Sequence, residues 1–95
     1  MSYRLTDQAA EDVQHIYTEG SRLFGLEQAG RYHARLRQTF EVLAHFPELA
    51  RERLEITPAV RIHRCGAHVV IYIVDEVDVL IVRVRHGHED WVNDL

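Results

Sequence analysis

The side chains able to do chemistry gather in the last third of the chain. From Val60 to His88 stand four arginines, Arg61, Arg64, Arg83 and Arg85, against three acids, Asp75, Glu76 and Asp78, a local net of +1 on a chain of net −4. His63, His68, His86 and His88 lie in the same stretch. An imidazole flanked by guanidinium groups is a minimal kit for cleaving RNA by 2′-hydroxyl attack, one group taking the proton while cations hold the phosphate. On that reading Arg61, His63, Arg83 and His86 are the catalytic candidates. The same arginines serve equally as charge-assisted contacts to a protein target, or simply as solvated strand residues. His86 and His88 are two apart, no His-Glu-x-x-His helix exists, and a metal would need two further ligands from elsewhere. There is no Gly-rich phosphate loop either, so neither metal nor cofactor is expected. Cys65 has only His63 at a loosely aligned i, i−2 position to activate it and reads as packing. Trp91, alone of its kind and set in a polar tail, either closes the fold or anchors an interface.

The elements that must position these groups follow from the hydrophobic pattern. Tyr3-Arg4-Leu5 alternates like a short strand and runs into Thr6, a plausible N-cap followed by acidic residues. Ala10, Val13, Ile16 or Tyr17, Gly20, and Leu23 or Phe24 then recur at helical spacing until Gly25. Ala29, Tyr32, Leu36, Phe40, Leu43 and Phe46 form a second stripe that Pro47 ends. Joined by so short a loop, the two helices make an antiparallel hairpin. After an irregular connection over 47–59, Val60 to Cys65 alternates, His68 to Val74 is a continuous β-branched run suited to a sheet centre, and Val79 to His86 alternates again. That alternation sends Leu80, Val82 and Val84 one way and Ile81, Arg83 and Arg85 the other, with Arg61 and His63 expected beside the arginines on an open face. If those arginines are exposed, replacing Arg83 and Arg85 by alanine should cost little stability. The fold class is α+β: an N-terminal strand, then a helix hairpin packed on one face of a small twisted antiparallel sheet (β-α-α-β-β-β). Trp91, Val92 and Leu95 share one helical face and suggest a closing C-terminal turn.

Length and composition set the outer bounds. Residues 1–95 suffice for one domain and not two, and 46% hydrophobic with 27% charged is a globular balance. No stretch approaches a membrane span and no signal peptide opens the chain, so no membrane partner is expected. One cysteine closes no internal disulfide, which fits the cytoplasm. The acidic balance argues against general nucleic-acid binding, although all 11 basic residues are arginine.

Several phrases, taken in order along nearly the whole chain, carry a family likeness. They are Ala10-Glu11-Asp12-Val13-Gln14-His15-Ile16-Tyr17, Gln28-Ala29-Gly30-Arg31-Tyr32, Leu43-Ala44-His45-Phe46-Pro47, His68-Val69-Val70-Ile71-Tyr72, and Ile81 through Asp90. Together they resemble the ParE branch of the RelE/ParE toxins. The resemblance implies a type II toxin that inhibits bacterial DNA gyrase and is neutralised by a ParD-like antitoxin in a hetero-oligomer. It implies antitoxin contacts at Tyr17, Phe24, Arg61 and Arg83, in an apolar groove, and target contacts at Arg83, Arg85, His86 and Trp91. RelE-like relatives cleave mRNA on the ribosome; the absence of lysine and the acidic charge set this sequence apart from them, and the nuclease is the second reading. An inactive relative that only sequesters an antitoxin is the third.

Overall fold

Thr6 is where strand becomes helix. Strand β1 (Ser2–Leu5) ends at it, helix α1 (Asp7–Phe24) begins after it, and its extended backbone lets the hydroxyl accept the Ala9 N–H at 3.0 Å. The same hydroxyl donates to the Val82 carbonyl at 2.7 Å, so the helix start is fastened to a strand 76 residues away. The computed structural model describes residues 1–88; the sequence-based expectations for Trp91, Val92 and Leu95 lie outside them.

Gly25 alone separates α1 from helix α2 (Leu26–His45). Its φ of 89° is a conformation side-chain-bearing residues rarely adopt, and in it the Gly25 N–H still closes on Ser21 while its carbonyl accepts from Ala29. The helices then run back along each other, close enough for Gly20 to sit against Ala29 and for the rings of Tyr17 and His33 to meet edge-on at 5.7 Å.

Four further strands complete one sheet: β2 (Glu52–Arg53), β3 (Val60–Cys65), β4 (His68–Val74) and β5 (Asp78–His86), in the order β1-β5-β4-β3-β2. The run β3-β4-β5 is the expected antiparallel meander, with β4 central and Val69 to Tyr72 buried. Two features were not legible. β1 lies parallel to β5, and the 47–59 connection adds the two-residue β2 at the far edge.

A bulge changes the face each β5 residue takes. Tyr72 pairs with Ile81 while Ile71 pairs with Arg83, leaving Val82 as an extra residue. Hence Val79, Ile81 and Val84 face the helices, and the unbroken alternation expected from sequence is corrected: Leu80 and Val82 do not share a face with Val84. Two helix assignments also shift. Ala9, not Ala10, is buried, and Phe46 is exposed because the helix has ended before it.

The main core joins Ala9, Val13, Leu36, Phe40 and Leu43 to Val70, Tyr72, Val79, Ile81 and Val84. Each of the Val, Leu, Ile and Phe side chains among them contributes about 1.5–3 kcal/mol when buried. The opposite face is apolar at its centre, where Val60, Val69 and Ile71 lie and Ile56 of the 47–59 segment packs across them; Arg83 and Arg85, paired with Ile71 and Val69, take the expected side away from Val84 at its β5 edge. Register puts Arg61 opposite Tyr72 and His63 opposite Val70, which is the helix side of the sheet. Their expected place on the open face is corrected; β3 alternates out of phase with that assignment, because Val60 and Ile62 belong to the apolar far side.

Candidate binding groove

β1 stops at Leu5, opposite Ile81, whereas β5 runs on to His86. The edge so exposed would present unpaired backbone groups, and α1 supplies part of the missing partner. One carboxylate oxygen of Asp12 accepts the Val84 N–H at 2.9 Å and Arg83 Nε at 2.7 Å, while the other accepts Arg83 Nη2 at 3.0 Å. The pair is largely withdrawn from water, with side-chain exposures of 16% for Asp12 and 20% for Arg83. A two-point guanidinium–carboxylate contact at this depth fixes both side chains in one geometry.

Between α1 and this edge opens a groove of about 750 Å³. Ile16, Tyr17, Leu23 and Phe24 supply its apolar wall, Arg83, Arg85 and His86 its polar one. At the hairpin tip Leu23 and Phe24 are 57% and 63% exposed, so the wall runs out onto the surface instead of closing into the core.

The far end is built around Tyr32 and the turn between β3 and β4. The Tyr32 hydroxyl lies 2.6 Å from His68 Nδ1, 3.1 Å from the Cys65 carbonyl and 3.2 Å from the Ala67 N–H. It accepts from Ala67 and has one proton to give. Donating that proton to Cys65 satisfies all three contacts when His68 carries its hydrogen on Nδ1, which leaves Nε2 as the acceptor nitrogen. Burial pushes the Tyr32 phenol above its ordinary pKa, so it stays protonated in this role. Tyr32 also crowds Gly66, whose φ is +59°; a Cβ there would meet the ring at 2.8 Å. His68 and His86 are cross-strand partners with ring centres 5.3 Å apart, and His88 stacks on His86 at 5.0 Å.

Of the residues singled out from sequence, Tyr17, Phe24, Arg83, Arg85 and His86 all border this groove. Arg61 does not: its guanidinium donates to the Ala50 carbonyl at 2.6 Å, holding the 47–59 segment. His63 lies in the row of Val70 and Val84, two strands from β5, so the set Arg61, His63, Arg83 and His86 is not assembled around one point. The expectation that Arg83 can be removed at little cost to stability is also corrected, since Arg83 is half-buried and bonded to Asp12. Asp12, Tyr32 and His68 were missed as site residues. Each sits in a phrase that reads as helix face or strand, and only the packing of α1 and α2 on the sheet reveals its partners.

Comparison with known proteins bears on the whole chain. Residues 3–91 match the family model described as the ParE toxin of type II toxin-antitoxin system, parDE. Toxin ParE1 of Caulobacter vibrioides is 36% identical over 84 residues, covering 88% of this chain and 86% of that protein. Among solved structures, a chain of the chromosomal ParDE TA system from P. aeruginosa superposes with a TM-score of 0.79 at 23% identity, covering 90% of this chain and 95% of that one, a likeness of fold. No helix among the described residues is long and apolar enough to cross a membrane.

Proposed function

This chain belongs to the ParE toxin family, and from that premise we propose that it inhibits bacterial DNA gyrase until a ParD-like antitoxin occupies the groove between α1 and β5. The match over residues 3–91 carries the reading. The groove supports it by offering an apolar wall, with Tyr17 and Phe24 as anchor sites, to an amphipathic antitoxin helix that folds on binding. Arg85 and His86, at the polar wall, are the target contacts in this reading, together with Trp91 of the tail; Arg83 holds its place through Asp12.

A supercoiling assay with purified gyrase, run beside a ribosome-dependent mRNA cleavage assay, tests the target. Inhibited supercoiling with intact mRNA is the expected result; cleaved mRNA with unimpaired gyrase would overturn it in favour of the nuclease. For the antitoxin, Phe24→Asp should weaken binding of the adjacent gene's product at least tenfold, since a charge is placed against an apolar anchor. Undiminished affinity would remove the groove from the interface.

A further inference from the structure

The groove between α1 and β5 collects histidines. Four of the chain's seven border it, one from each element that meets there: His15 from α1, His33 from α2, His68 from β4 and His86 from β5. Its permanent charges, by contrast, balance among the described residues. Asp12 and Glu19 stand against Arg83 and Arg85; Asp12 is bonded to Arg83, and Glu19 is held by Arg22 at 2.8 and 3.1 Å. The sign of the groove is therefore set by imidazoles, the side chains whose ordinary titration lies nearest neutral pH.

We propose that the groove reads carboxylates on the antitoxin helix through His33, His68 and His86, and that the chain takes up protons as the complex forms. The inference rests on the groove being the antitoxin site. His68 is already arranged to carry charge: the Tyr32 hydroxyl gives its own proton to the Cys65 carbonyl and accepts from His68 Nδ1 at 2.6 Å, a bond that is kept when Nε2 gains a proton. His86 faces it across the strands with ring centres 5.3 Å apart, beside Arg85 on β5, with His88 at 5.0 Å and the Arg64 guanidinium packed over Gly87. Two charged rings at that separation repel each other, and a carboxylate placed between them turns the repulsion into two attractions. His33 stands at the helix side of the groove, edge-on to Tyr17 at 5.7 Å and one turn before Arg37, with no acid one turn away along α2. An incoming carboxylate supplies the missing opposite charge. His15 differs, since Glu19 already lies one turn on along α1.

The experiment is calorimetric titration of the chain with the adjacent gene's product from about pH 6.5 to about pH 8.5, repeated near neutrality in phosphate and in Tris, whose unlike ionisation enthalpies expose proton exchange. Uptake of about one proton or more is expected, with affinity rising roughly tenfold for each proton taken up per pH unit of acidification. His33→Gln and His86→Gln should each lower the uptake and flatten the pH dependence while Tm is retained. His45→Gln, on the exposed end of α2, should change neither. Binding of pH-independent affinity without proton uptake would overturn the inference and leave the antitoxin reading standing. So would a pH dependence undiminished in the double variant His33→Gln/His86→Gln, which would place the titrating groups on the antitoxin. No binding at any pH would overturn both the inference and the reading beneath it.

Discussion

Asp12 stands where a neighbouring strand would otherwise stand, taking one backbone N–H and one guanidinium of β5. Asp12→Ala leaves the Arg83 charge half-buried and the Val84 N–H without its acceptor, and should cost about 2–3 kcal/mol in denaturant unfolding. Asp12→Asn keeps an acceptor for Val84 and should cost less; equal losses would show that the charge alone, and not the acceptor for Val84, carries the contribution. Asp75 offers a second residue-scale prediction. Its carboxylate accepts the N–H groups of Asp78 and Val77 and pairs with Arg4, and these, the backbone donors first, hold its pKa below the usual 3.8. The folded value lies under the unfolded one, so ionised Asp75 adds stability at neutral pH that disappears as pH falls through its lowered value. The stability gap between parent and Asp75→Ala should accordingly be widest near neutrality and shrink in the acid range below 3.8. A gap independent of pH in unfolding titrations would contradict this.

Turns and bulges decide which face each element offers. Gly66 must carry a φ of +59° beneath the Tyr32 ring, so Gly66→Ala meets both backbone strain and a 2.8 Å contact. A loss of about 1–3 kcal/mol is expected, with faster hydrogen exchange at Ala67, whose N–H the Tyr32 hydroxyl accepts. Unchanged stability would mean that Tyr32 moves aside at no cost. The bulge at Val82 works at the same scale: it returns Val84 to the core and leaves Arg83 across from Ile71, at the edge where Asp12 can reach it. Thr6 stabilises that irregularity by donating to the Val82 carbonyl, so helix start and bulge are one construction.

Across the whole molecule, Tyr72 joins the two halves: its ring is fully buried in the core while its hydroxyl donates to the Pro47 carbonyl and accepts the Ala50 N–H. Tyr72→Phe keeps the ring and orphans both groups, so about 1–2 kcal/mol should be lost and exchange at Ala50 should quicken, with little change in antitoxin affinity because Tyr72 is remote from the groove. A large loss of antitoxin binding would tie the 47–59 segment to that surface. Local chemistry suffices for much of this architecture. Thr6, Gly25 and Pro47 mark the helix ends by capping, positive φ and a missing N–H, and the β-branched run of β4 announces a strand buried on both sides, because these signals act within a few residues. The partners of Arg83, His68 and Tyr32 had no such local signal. A one-residue bulge inverts side-chain phase without altering composition, and contacts such as Asp12–Arg83, 71 residues apart in the chain, exist only once α1 has packed across the end of β1. Hydrophobic period and turn residues therefore name the elements from sequence, whereas the groove, and which charges and imidazoles face into it, follow from strand register and helix docking, which depend on long-range packing.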